Sequence, residues 1–175
     1  LFISLGTTPL NRRPDFFRMC LDAFGGSEWD VVMAVGDQTS PADLGTFAPN
    51  VRVRPFFPQL RVLRQTDVFI THAGMNSTME ALYFAVPLVA VPQQPEQAAT
   101  ARRLEELGLG RYLAAEDVGP DALRAAVAAV HTDPRVRRNL AAMSEVVRNA
   151  GGAVAAADAI EARVHHGAGR FGDVV

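Results

Sequence analysis

Along the chain, short apolar runs alternate with longer stretches in which apolar positions recur every three or four residues. The runs at residues 2–5, 31–35, 51–54, 68–71, 88–91 and 111–113 predict strands. Residues 31–35 and 88–91 are apolar nearly throughout, which suits strands covered on both faces, where nothing selects for alternation. Helical spacing predicts helices over residues 15–24, 77–84, 94–107, 121–130, 135–149 and 153–164. Alternating strands and helices are the sequence form of repeated βα units, so the expected class is α/β: a Rossmann-like parallel sheet with helices on both faces. The last three helical stretches follow one another without a strand and are expected to close the domain as a helical cap. Pro120 and Pro134 stand just inside their starts, and Gly151 and Gly152 separate the final pair. One domain is expected over residues 1–166, followed by a Gly-rich tail at 167–175 with few apolar anchors.

Composition narrows the chemistry. The 175 residues carry a formal net charge of −2, so no basic field exists to hold nucleic acid or an anionic membrane surface, and neither partner is expected. Every cationic side chain is Arg, which excludes a Schiff-base lysine and a P-loop lysine. The single cysteine, Cys20, cannot form an internal disulfide, fits a reducing cytoplasm, and reads as a small core residue. No apolar run reaches the roughly 20 residues of a spanning helix. The chain opens without Met, directly in a strand, and is read as a piece of a longer protein.

In an open parallel sheet, ligands sit beyond the carboxyl ends of the strands, where loops feed helix starts. Three such loops stand out: Gly6-Thr7-Thr8, the segment from His72 to Ser77, and that from Pro92 to Gln97. In the central loop, Gly74 permits close approach while Asn76 and Ser77 open a helix whose free N–H groups attract anions. His72 can add a ring donor to a phosphate oxygen. The same residues allow a plainer reading, because Ser77 and Glu80 form an S-x-x-E capping box that needs no ligand. Phe56 could likewise be core, Glu96 and Gln97 solvated first-turn residues, and Thr7 a turn cap. His131, His165 and His166 read as helix-end or tail positions without the spaced company of a metal site. The Arg-rich stretch 135–138 reads as a solvated helix face.

Taken together, Phe56-Phe57-Pro58-Gln59, Thr71-His72-Ala73-Gly74-Met75-Asn76-Ser77, Glu80, Val86-Pro87 and Pro92-Gln93-Gln94-Pro95-Glu96-Gln97 resemble the donor-binding signature of the inverting UDP-glycosyltransferases of GT-B fold. The nearest branch is the macrolide and flavonoid glycosyltransferases of family 1. The resemblance covers nearly the whole chain and implies the C-terminal half of a GT-B fold. It places Phe56 on the uracil ring, where many relatives have Trp, and the backbone of Phe57 at the base edge. It places Gln59 and Glu80 on the ribose, and His72, Gly74, Asn76 and Ser77 on the diphosphate, with Thr7 closing over it. Glu96 and Gln97 fall on the sugar hydroxyls, Asp being commoner than Glu at the first position.

The activity so implied moves a sugar, glucose in the leading expectation, from a UDP or dTDP sugar to a hydroxyl of a small acceptor such as a macrolide or polyphenol. Such a role belongs to antibiotic biosynthesis or resistance. His72 and the helix start would stabilise the departing diphosphate, so no cofactor and no metal are expected, and no DxD motif is present. The general base and most of the acceptor pocket would lie on an N-terminal domain outside this chain, which alone should bind donor without transferring. Two other readings stand: an enzyme on the same architecture, such as an N-acetylglucosaminyltransferase with a lipid-linked acceptor or a nucleotide-sugar epimerase, and a non-catalytic nucleotide-sugar-binding subunit. A nicotinamide-binding domain is disfavoured because the first strand leads into Gly6-Thr7-Thr8-Pro9 in place of G-x-G-x-x-G.

Overall fold

The computed structural model describes residues 1–6 and 13–168, with side chains followed to residue 164. Its strands are β1 (Phe2–Ser4), β2 (Val31–Ala34), β3 (Val51–Arg54), β4 (Phe69–Thr71), β5 (Leu88–Ala90) and β6 (Gly110–Tyr112). They form one sheet in the order β3-β2-β1-β4-β5-β6, and every neighbouring pair is parallel. The order reverses between β1 and β4. The chain lays β2 and β3 on one side of β1 and then returns across it, which is the doubly wound arrangement expected of a Rossmann-like sheet.

The helices are α1 (Pro14–Phe24), α2 (Gln59–Leu63), α3 (Met75–Tyr83), α4 (Pro95–Glu106), α5 (Pro120–Thr132), α6 (Pro134–Arg148) and α7 (Gly152–Ala168). Successive strand residues point to opposite faces, and the core divides accordingly. Ile3, Met33, Ile70 and Val89 join α1 and α5 on one face; Phe2, Phe69, Leu88 and Ala90 join α3, α4 and α6 on the other. Across the second face Phe2 and Phe69 stack with ring centroids 4.7 Å apart. Cys20 lies fully buried on α1 among Phe16, Phe17 and Phe24, and burial pushes its thiol pKa far up, so it is inert core.

Proline sets three of the later starts, Pro95, Pro120 and Pro134 each opening its helix. At α6 the Asp133 carboxylate also accepts from the Arg135 N–H over 2.8 Å.

Three expectations need correction. The last three helices do not gather as a cap: α5 packs against α1 on one face and α6 against α3 on the other. Hydrophobic spacing reveals that a helix has an apolar stripe, not which side of the sheet receives it. The short helix α2 was not foreseen, because five residues between Pro58 and Arg64 are too few to show a period. And α3 begins at Met75, two residues before the expected start, with Gly74 as its cap. Helix α7 runs to Ala168, two residues into the expected tail, and its apolar Val154, Ile160 and Val164 are all exposed. No helix among the described residues is long and apolar enough to cross a membrane.

Candidate functional site

The register aligns Arg54, Ala34, Ser4, Thr71, Ala90 and Tyr112 in one row across the sheet, so the segments that leave these strands open on a single edge. The crevice between β1 and β4, where the strand order reverses, is flanked by Gly6 and by the turn from β4 into α3. Clefts around Leu1, Trp29, Asp30 and Gln65 open on the opposite, amino-terminal edge, where His131 also lies, away from every described residue expected to contact a donor.

The β4–α3 turn is tight and specialised. Ala73 adopts φ 61°, a left-handed conformation that L side chains rarely take, and its N–H is 3.4 Å from the Thr71 hydroxyl. The turn brings the buried imidazole of His72 directly over Gly74. A β-carbon on residue 74 would overlap His72 Nε2 and stand 2.9 Å from Cε1. Gly74 itself has φ −63°, so it is required for space and not for backbone freedom. Helix α3 then starts with Met75, Asn76 and Ser77, whose N–H groups have no preceding helical carbonyl to bond. Their partial positive charge and the His72 ring share one corner. Burial lowers the His72 pKa below its usual value, with the Glu96 carboxylate acting in the opposite sense. The ring is therefore a neutral donor near pH 7.

The capping box of the plainer reading does not form. No side chain caps α3, because the earlier start places Ser77 and Glu80 inside the helix. Both instead receive Gln59 from α2, whose Nε2 donates to Glu80 Oε2 over 2.7 Å and to Ser77 Oγ over 3.2 Å. Three residues expected to act together thus meet across 21 residues of chain. Phe56 is not core: the residue is 69% exposed just beyond the end of β3. Phe57 is half-buried beneath the Arg54 guanidinium, 5.4 Å from the ring centroid. Phe56, Phe57 and Gln59 line a narrow cleft together with Ser4, Gly6 and Gly36.

The third loop separates two residues that the sequence treats as a pair. Glu96 is exposed, whereas Gln97 is buried and its Oε1 accepts from the Gln93 N–H over 2.8 Å. The Gln97 amide nitrogen remains as its donor. Gln93, to which the sequence assigned no role, also donates to the Val91 carbonyl and accepts from Arg13 Nη1 over 2.7 Å. Arg13 was missed altogether; a contact spanning 80 residues leaves no local signal. Thr7 lies outside the described residues. Among those described, no group of three or more His, Cys, Asp or Glu side chains is placed to hold a metal ion.

Residues 18–157 match the family described as erythromycin biosynthesis protein CIII-like, C-terminal domain. The chain is 48% identical over 162 residues to the NDP-glycosyltransferase YjiC of Bacillus licheniformis, covering 93% of this chain and 41% of that protein. It is 42% identical over 161 residues to the demethyllactenocin mycarosyltransferase of Streptomyces fradiae, covering 92% and 35%. It spans about two-fifths of the length of these curated relatives. A calicheamicin glycosyltransferase structure superposes with TM-score 0.88 at 37% identity, over 94% of this chain and 43% of that one. More distant structures share the fold alone: Os79 from O. sativa in complex with UDP, with TM-score 0.68 at 23% identity over 86% and 36%, and VinC in complex with dTDP, with TM-score 0.73 at 21% over 85% and 37%.

Proposed function

The chain belongs to the erythromycin biosynthesis protein CIII-like C-terminal domain family of glycosyltransferases, and from that premise we propose that it is the half that binds a UDP-sugar and eases departure of UDP. The observation that carries this reading is the convergence at one sheet edge: Gln59 joined to Ser77 and Glu80, His72 seated over Gly74 at the start of α3, and Phe56 exposed beside them.

In this reading the uracil stacks on the open face of Phe56, with the Phe57 backbone at its edge. The ribose diol reaches the Glu80 carboxylate, already oriented by Gln59. The diphosphate lies against the first turn of α3, near His72, Asn76 and Ser77, with Thr7 on its other side. The Gln97 amide and the Glu96 carboxylate meet the hydroxyls of the sugar, proposed as glucose. An acceptor hydroxyl of a macrolide or polyphenol bonds to the anomeric carbon from the opposite side, while the bond from that carbon to the β-phosphate oxygen breaks and its electron pair leaves with UDP. Charge then grows where the helix N–H groups and His72 donate; in other enzymes one such preorganised donor is worth about 2.7–4 kcal/mol of barrier. These donors meet the leaving charge without a divalent ion. The acceptor proton goes to a base on an N-terminal domain outside this chain, which also supplies most of the acceptor pocket.

Titration calorimetry with UDP, dTDP, GDP and UDP-glucose tests the reading, alongside a transfer assay on a polyphenol. UDP and UDP-glucose should bind, and the chain alone should transfer nothing. Absence of UDP binding would overturn the donor site; robust transfer would overturn the division of labour.

A further inference from the structure

Arg13 is the cap residue before α1, and Gln93 lies within the loop between β5 and α4. Between them runs a hydrogen bond from Arg13 Nη1 to Gln93 Oε1 over 2.7 Å, linking the start of α1 to the loop between β5 and α4. Arg13 is exposed and stands at the start of α1. Its carbonyl accepts from the Phe17 N–H over 3.2 Å at the start of α1, and the next turns of α1 are anchored in the core through Phe16, Phe17 and Cys20. Gln93 makes three bonds in different directions: its Nε2 donates to the Val91 carbonyl, its backbone N–H donates to Gln97 Oε1, and its Oε1 accepts from Arg13. Only the last brings in a distant element, through a charge-assisted bond at an exposed position.

We propose that Arg13 is a positioning residue for sugar recognition, holding Gln93 and through it the Glu96–Gln97 segment in the geometry that reads the transferred sugar. This rests on the reading that Glu96 and Gln97 meet that sugar. The physical reason is preorganisation. Without Arg13, the Gln93 side chain keeps only its bond to the Val91 carbonyl, and the loop backbone whose N–H orients Gln97 gains freedom that binding must then remove. Among the described residues, no hydrogen bond joins this latch to the nucleotide-site residues of α2 and α3, so the loss should fall on the sugar.

Calorimetry on the chain with UDP and with UDP-glucose, for the parent, Arg13→Ala, Arg13→Lys and Gln97→Ala, tests it. Arg13→Ala is expected to weaken UDP-glucose about fivefold while UDP stays within about twofold. Arg13→Lys, which keeps a cationic donor for Gln93 Oε1, should recover most of the loss. Equal weakening of both ligands would show Arg13 acting on the nucleotide or on the fold and would overturn the inference. So would an unchanged Arg13→Ala beside a Gln97→Ala that selectively loses UDP-glucose. If Gln97→Ala too fails to separate the ligands, the sugar-site reading itself falls and the latch with it.

Discussion

Gln59 Nε2 donates to Glu80 Oε2 over 2.7 Å, tying the short helix α2 to the middle of α3. The same nitrogen lies 3.2 Å from Ser77 Oγ, so one amide bridges the residue proposed for ribose and a residue proposed for phosphate. A carboxylate held this way presents its remaining lone pairs in a defined direction, which suits a diol.

Glu80→Ala should therefore cost more with UDP than with its 2′-deoxy counterpart. Hydrogen bonds to a charged group contribute about 1.5–3 kcal/mol, so we expect UDP affinity to fall roughly tenfold or more while the preference for UDP over 2′-deoxy-UDP narrows. Calorimetry with the two nucleotides measures both. An unchanged preference would separate Glu80 from the ribose.

Gly74→Ala drives a methyl group into the His72 ring. The imidazole must swing away, with an overpacking cost of about 1–3 kcal/mol, and the corner proposed for the diphosphate loses its shape. UDP affinity should drop at least about tenfold while uridine, which has no diphosphate, stays nearly unaffected. Comparable losses for both ligands would point to general disruption.

His72 makes stability depend on pH with a definite sign. Burial lowers its native pKa below the 6.5 of the exposed ring, so under acid the unfolded chain takes up a proton before the native chain does. The stability gained from burying the neutral ring is complete above about pH 6.5. It is lost as pH falls from there through the lowered native pKa. Urea unfolding between pH 8 and pH 5 should show the parent losing stability faster than His72→Gln over that window. Parallel curves would contradict the assignment.

Phe56→Ala removes a ring that is 69% exposed, so the fold should change by no more than about 0.5 kcal/mol. Loss of base stacking should nonetheless weaken UDP by about 1–3 kcal/mol. Phe56→Trp, which enlarges the π-face, should tighten it. Thermal unfolding and calorimetry on the same variants separate the two effects.

Much of this protein is local, and the local part was legible in the sequence. The apolar runs become strands because residues such as Val31 and Leu88 must be covered, and helix starts such as Pro134 after Asp133 carry their own signal. The turn from His72 to Ser77 could be read as an anion corner because a glycine, a ring donor and a helix start follow one another directly. Its detail was less legible. The start of α3 at Met75 has no side-chain cap to mark it, and the need for Gly74 comes from the fold of His72 back over it.

What only the tertiary structure decided are the relations between residues far apart in the chain. Ser77 and Glu80 alone were a capping box on paper, and they became the partners of Gln59 only once α2 came to rest beside α3. Phe56 could have been core until β3 took the sheet edge and left its ring exposed. Arg13 and Gln93 have no relation in sequence and meet because β1, β4 and β5 lie side by side and bring the start of α1 to the loop that follows β5. Periodicity and capping act over a turn or two of chain, so a sequence by itself determines which elements form and which faces they bury. Which loops share a crevice depends on strand order, and strand order follows from how all the buried faces are satisfied at once.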